Sequence, residues 1–177
     1  VHARLLAELD AATAAGRTAA ADVAKLEYLD AVIKEVLRQR PSVPQFGRRV
    51  VRPIVLRGYE IPAGVTLMPS VMLTHRRADL YPEPEVFRPE RFLGAKPAPY
   101  TYLPFGGGPR RCLGAAFAIQ EMKVVAATVL QRMRLKLVKG APLAPALRSI
   151  FLAPEGGAEV VLLSHRVPAE ARGAVAN

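Results

Sequence analysis

One cysteine, no tryptophan and three histidines leave this 177-residue chain short of the groups that build disulfide frameworks and side-chain metal clusters. A single thiol excludes an internal disulfide and gives no sign of an oxidising compartment. No apolar run reaches the roughly 18–20 residues that cross a bilayer. The longest candidate, Leu113 to Leu130, is interrupted by Gln120, Glu121 and Lys123. The N-terminus has no basic-then-apolar export pattern, so a soluble, cytoplasmic chain is expected. Residue 1 is Val rather than Met, which points to a truncated or processed form. Basic residues never exceed two in succession, and no helix-turn-helix or zinc-finger spacing accompanies the net charge of +10. Nucleic acid is therefore not the expected partner, whereas an acidic protein suits that charge.

What is present is a globular balance, 51% hydrophobic and 23% charged, enough for one core. Residues 3–15 are rich in Ala and Leu and read as a helix ending near Gly16. A second helix is expected from Asp22 or Ala24 to Gln39, stopped by Pro41. Its apolar stripe is Leu26, Leu29, Val32, Ile33, Val36 and Leu37, at spacings of three and four. Between residues 48 and 67 short apolar runs at 50–51, 54–56, 59–61 and 65–67 alternate with turns at Gly58 and Pro62-Ala63-Gly64. These read as short strands. A short helix fits within 69–80. Residues 81–104 carry Pro82, Pro84, Pro89, Pro97, Pro99 and Pro104, so an irregular connection is expected there. A helix from Leu113 to Met133 follows, then strands at 135–138, 150–152 and 160–163. Pro154-Glu155-Gly156-Gly157 reads as a hairpin turn joining the last two strands. The tail from Pro168 reads as frayed.

The densest chemistry lies in the segment Phe105 to Gly114, which contains Gly106, Gly107, Gly108, Pro109, Arg110, Arg111 and Cys112. Three consecutive glycines allow a backbone to lie close to a planar partner. Cys112 then falls at the expected N-terminus of the long helix, where free N–H groups and adjacent arginines favour a thiolate. Three readings fit such a cysteine: a metal-ligating thiolate, an inert buried thiol, or a redox thiol. His2, His75 and His165 are all distant from it in sequence, so a base for a redox thiol would have to be brought to it by the fold.

The set Phe105, Gly108, Arg110, Cys112 and Gly114 resembles the haem-ligand loop of the cytochrome P450 monooxygenases. A chance match in this length is on the order of one in ten thousand, which favours the metal-ligating reading. The resemblance implies haem b as cofactor, with Cys112 as the iron's axial ligand. It also implies a small apolar organic substrate, O2, and electrons from a ferredoxin or flavodoxin.

Glu35 and Arg38 lie off the apolar stripe, and periodicity alone places them on a solvated face. The resemblance instead makes them the Glu-x-x-Arg beside the haem's proximal side, completed by Arg91 of Pro89-Glu90-Arg91-Phe92 as a supporting charge network. Arg48 or Arg49, and Arg110, resemble arginines that pair with haem propionates. Val43 to Phe46 and Ile150-Phe151 resemble substrate-contacting segments, and His75 reads as structural. The resemblance runs from about residue 22 to 163 and covers only the C-terminal part of the family's fold. The implied architecture is mainly α with small β-sheets (α+β), the proximal half of that fold, with residues 1–177 forming one partial domain. The family's oxygen-activating helix has no counterpart here, so an active parent enzyme and an inactive 177-residue piece are expected. The alternative is a non-catalytic haem-binding protein.

Overall fold

The computed structural model describes residues 1–16, 19–138 and 144–166. Two apolar helices from the N-terminal third and one from the second half form the core. Helix α1 (His2–Ala14) turns Leu5, Leu9 and Ala12 inward, and after the one-turn α2 (Ala20–Val23) comes α3 (Glu27–Gln39). The single helix expected from about residue 22 is thus broken in two around Lys25. Leu26, at the N-cap of α3, has no side chain that can accept a hydrogen bond. Its place is taken from another helix, since the Glu8 carboxylate accepts Tyr28 N–H and Leu29 N–H, each at 2.8 Å. An anion at a helix N-terminus also suits the dipole. Glu27 and Asp30 in the first turn and Arg38 in the last follow the same polarity.

Strands β1 (Arg48–Arg49), β2 (Ile54–Leu56), β3 (Tyr59–Ile61) and β4 (Thr66–Leu67) pair as β1–β4 and β2–β3, both antiparallel. Helix α4 (Val71–His75) starts at Ser70, whose hydroxyl accepts Leu73 N–H at 3.2 Å. An irregular stretch then leads through a 3₁₀ turn at Pro89–Phe92, packed on α3, to the cysteine loop. Helix α5 (Ala115–Arg132) runs directly into β5 (Met133–Leu137). It meets α1 and α3 through Ala127, with Met122, Val124, Ala126 and Leu130 beside it. Buried Lys123 reaches from α5 to the Asp30 carboxylate at 2.5 Å and to Ala24 O at 3.1 Å. Leu9→Ala, at a fully buried site in this core, is expected to cost about 2–5 kcal/mol, read from the urea midpoint.

The last strands are β6 (Pro145–Arg148), β7 (Phe151–Pro154) and β8 (Val160–His165). Here the expected connectivity is wrong. β7 pairs with β6 and β8 pairs with β5, so Pro154 to Gly157 joins two sheets rather than closing a hairpin. The turn at Ser149 and Ile150 closes the β6–β7 hairpin instead, with Ser149 at φ +59. The described residues thus form a mainly helical fold with four two-stranded antiparallel sheets, an α+β architecture. The tail from Pro168 lies outside the described residues. Among the described residues, no helix is long and apolar enough to cross a membrane.

Candidate functional site

Glu35 and Arg38 are 0% and 1% exposed, which overturns the solvated face that periodicity assigned them. The reason is that α3 is covered on two sides. Its apolar stripe meets α1 and α5, while the opposite side carries the proline-rich meander. Val36, placed on the stripe by spacing, is instead 42% exposed.

Glu35 is a hub. Its Oε2 accepts Arg38 Nε at 2.7 Å, and its Oε1 accepts Arg38 Nη2 at 2.9 Å. The same Oε1 takes the backbone N–H of Arg88 at 2.8 Å and Arg91 Nε at 3.3 Å. The two guanidiniums then collect backbone carbonyls. Arg38 donates to His75 O and Pro84 O, both at 2.7 Å. Arg91 donates to Pro82 O at 3.2 Å, Val86 O at 3.3 Å and Glu83 O at 3.4 Å. Among the described residues no buried side-chain nitrogen or oxygen is left without a partner. Three sequence-predicted residues, Glu35, Arg38 and Arg91, are thereby brought together, and they fix a segment with almost no regular backbone pairing of its own.

His75, read from the sequence only as structural, is joined to this network. It is fully buried, with its ring stacked on Tyr102 at 5.4 Å and 17° and edge-on to Tyr81 at 6.1 Å. Burial pushes its pKa down to about 4; the nearby Arg38 guanidinium acts the same way, and the bond to the Arg38 carbonyl opposes both. Burial likewise raises the Tyr102 phenol, whose hydroxyl donates to Lys34 O at 3.0 Å. No spacing rule identifies a lone histidine in a five-residue helix. The signal that existed was its place in Thr74-His75-Arg76-Arg77, just before the proline-rich stretch.

The cysteine loop leaves this support at Leu103. Cys112 N–H donates to Phe105 O at 3.0 Å, Gly106 N–H to Leu103 O at 3.0 Å and Arg111 N–H to Gly108 O at 3.1 Å. Gly106 and Gly108 adopt φ +72 and +68, which a side chain disfavours. A Cβ on Gly107 would stand 3.0 Å from Leu103 Cδ2. The three glycines thus serve the loop's own path first. Pro109 sits in a short 3₁₀ turn, Gly108–Arg110, and α5 begins only at Ala115 with Gly114 as N-cap. Cys112 therefore precedes the helix, a correction to its expected place at the helix N-terminus. A Cβ on Gly114 would meet only Cys112 Sγ, at 3.9 Å, so no close approach requires glycine there among the described residues.

Cys112 is exposed, with fully exposed Leu113 and 73% exposed Phe117 on either side of the Gly114 cap. Arg110 and Arg49 are exposed and form no side-chain hydrogen bond or ion pair among the described residues. Arg48 stacks on Phe46 at 4.5 Å and donates to Gly47 O at 2.8 Å. Arg48 and Arg49 line a shallow concavity of roughly 410 Å³ with Val50, Val51, Arg52, Ile54 and Leu67. Beside the segments 43–46 and 150–151, Leu152 N–H donates to Ser42 O at 2.7 Å, and Ile150 and Phe151 are exposed near the turn of the β6–β7 hairpin.

The donor set is informative. No group of three or more His, Cys, Asp or Glu side chains among the described residues could hold a metal ion. One exposed thiol, with exposed apolar Leu113 and Phe117 following it in the chain, suits a metal whose other donors arrive with a flat apolar ligand, as in a metalloporphyrin.

The comparisons with known proteins agree. The family described as Cytochrome P450 matches residues 1–162. The match includes α1, which the resemblance read from about residue 22 left out. The chain is 47% identical to cytochrome P450 135B1 of Mycobacterium tuberculosis over 150 residues, covering 85% of this chain and 32% of that protein. It is 42% identical to cytochrome P450 3A29 of Sus scrofa over 120 residues, 66% of this chain and 24% of that one. Cyanobacterial CYP120A1, solved with retinoic acid bound, superposes with a TM-score of 0.74 at 35% identity, over 81% of this chain and 34% of that chain. The haem domain of cytochrome P450DA gives 0.83 at 26% identity, over 95% and 37%. The chain spans about a third of the length of the mycobacterial relative. On the residues of the cysteine loop, the buried Glu35 hub and these similarities, the chain belongs to the cytochrome P450 family.

Proposed function

We propose that this chain supplies the thiolate side of a haem b monooxygenase, in which Cys112 would be the residue that ligates the iron. The observation that carries the reading is the exposed Cys112 thiol at the end of a glycine loop, followed in the chain by the exposed apolar Leu113 and Phe117. When bound, the haem supplies activation of O2 and insertion of one oxygen atom into a small apolar organic substrate, with electrons from a ferredoxin or flavodoxin. The chain's own part is positioning. The Phe105–Cys112 backbone bond holds the sulfur at the loop's end. Phe105, Gly108 and Gly114 shape the surface beside it, while Arg110 and Arg48 or Arg49 offer guanidiniums to the propionates. Glu35, Arg38 and Arg91 hold the meander from which the loop springs. Ile150 and Phe151 at the β6–β7 tip offer apolar surface to the substrate. The 1–177 span acts as part of one larger domain, and oxygen activation needs residues outside it.

The test is spectroscopic. The 177-residue chain loaded with haem, reduced and exposed to CO, is expected to show the red-shifted Soret band of thiolate ligation, and Cys112→Ser to abolish it. A histidine-type Soret in the parent chain sinks the reading. Turnover is expected only when the chain is combined with the N-terminal two-thirds of a relative. Haem binding with the thiolate band but no turnover in that combination favours a non-catalytic haem-binding protein.

A further inference from the structure

We propose that His75 is a positioning residue, tying the entry of the cysteine loop to the C-terminal end of α3 through both of its ring nitrogens. Its Nε2 lies 2.8 Å from the backbone nitrogen of Leu103. That nitrogen can only donate, so Nε2 is the acceptor and the proton sits on Nδ1. Nδ1 in turn lies 3.1 Å from Arg38 O, one of the last carbonyls of α3, which have no partner within the helix. Arg38 returns the contact, its Nη1 donating to His75 O at 2.7 Å.

The result is a continuous path. It runs from the Glu35–Arg38 pair through His75 to Leu103 N, and from Leu103 O and Phe105 O to the N–H groups of Gly106 and Cys112. Tyr102 on one face and Tyr81 at the edge leave the ring little freedom to turn. The loop's entry is thus fixed from the same point as the charge hub, not by the glycines alone.

This tether depends on protonation. A second proton on the ring would set Nε2–H against Leu103 N–H, donor against donor, and the contact would part. The groups against the ring are Arg38 from α3 and Tyr81 and Tyr102 from the meander, and Glu35 and Arg91 stand behind Arg38 in the hub. Arg38 adds a like charge to an imidazolium, and the low pKa of about 4 agrees with that geometry. The tether belongs to the metal-free chain. Its bearing on iron ligation rests on the haem-thiolate reading.

Amide hydrogen exchange on the full 177-residue chain, without haem, tests the tether. Leu103 is expected to be protected near pH 7 and, as the pH falls towards about 4, to lose tenfold or more of that protection beyond whatever Ala127 in the core of α5 loses. His75→Gln places an amide oxygen near the Nε2 position and should keep Leu103 protected within about threefold while removing the pH dependence. His75→Asn keeps only a donor near Nδ1 and should lose tenfold or more at Leu103. Unchanged Leu103 protection in His75→Asn overturns the proposal. Should that variant lose Ala127 protection as well, the parent's own pH profile decides, and a Leu103 profile that only follows Ala127 overturns the proposal equally. The CO spectrum, by contrast, bears only on the iron ligand, so the two ideas fail separately.

Discussion

Glu35→Ala is expected to remove about 3–5 kcal/mol of stability, a large fraction of what keeps an ordinary domain folded. The substitution strands the Arg38 guanidinium at a site that is 1% exposed, leaving Nε without an acceptor and Nη2 with only the Pro84 carbonyl. It also deprives Arg88 N–H and Arg91 Nε of their acceptor. Leaving a buried charge without its counter-ion costs far more than the pair itself contributes, because both ions were already taken out of water. The double substitution Glu35→Leu, Arg38→Met is therefore expected to be less damaging than Glu35→Ala alone. Urea unfolding of the single and double variants measures both. A single variant that loses less than about 1 kcal/mol would show that water reaches Arg38 and that the hub is not dry.

Acid is expected to weaken the chain in two separable stages, the upper one due to His75. Its folded-state pKa of about 4 lies below the ordinary 6.5. Between those values the unfolded chain binds a proton that the folded chain refuses, so stability rises with pH across that window. The contribution is complete above 6.5, falls as the pH drops and is gone below about 4. At full extent it amounts to about 3 kcal/mol. The carboxylates that are lowered by their partners come later. Asp30, held by Lys123 and Lys34 against the effect of its own burial, and Glu90, held by its own backbone and Tyr28, lose their stabilisation only below their ordinary values of 3.8 and 4.5. Unfolding free energies measured from pH 7 to 4 should therefore fall less steeply in His75→Gln than in the parent. Equal slopes would mean that the imidazole takes up its proton without disturbing the fold.

The helices were legible because their signals are local. Apolar spacing with Pro41 marked α3, a long apolar stretch broken only by Gln120, Glu121 and Lys123 marked α5, and the loop from Phe105 to Gly114 carried its resemblance in five residues. The errors came where a second layer intervenes. A stripe predicts one buried face, but α3 lies between two, so Glu35 and Arg38 read as solvated and Val36 as buried. The same blindness affected the strands. Gly156-Gly157 is a sound turn signal, yet the partner of β7 is Pro145–Arg148, a segment opening on proline and without β-branched residues. The role of His75 depends on backbone atoms of Arg38 and Leu103, far from it in sequence, and backbone atoms leave no trace in residue identity.

The borrowed cap on α3 carries a consequence for the order of assembly. Glu8 and Tyr28 are near neighbours along the chain, so α1 and α3 can dock by closing one short loop. The links from Glu35 to Arg88 and Arg91 close far longer ones. A chain emerging from the ribosome N-terminus first can form its helical pair while the thiol is still being synthesised. Leu103 finds its imidazole only once the meander has wrapped back over that pair, so the sulfur takes its final position on a scaffold that is already largely built.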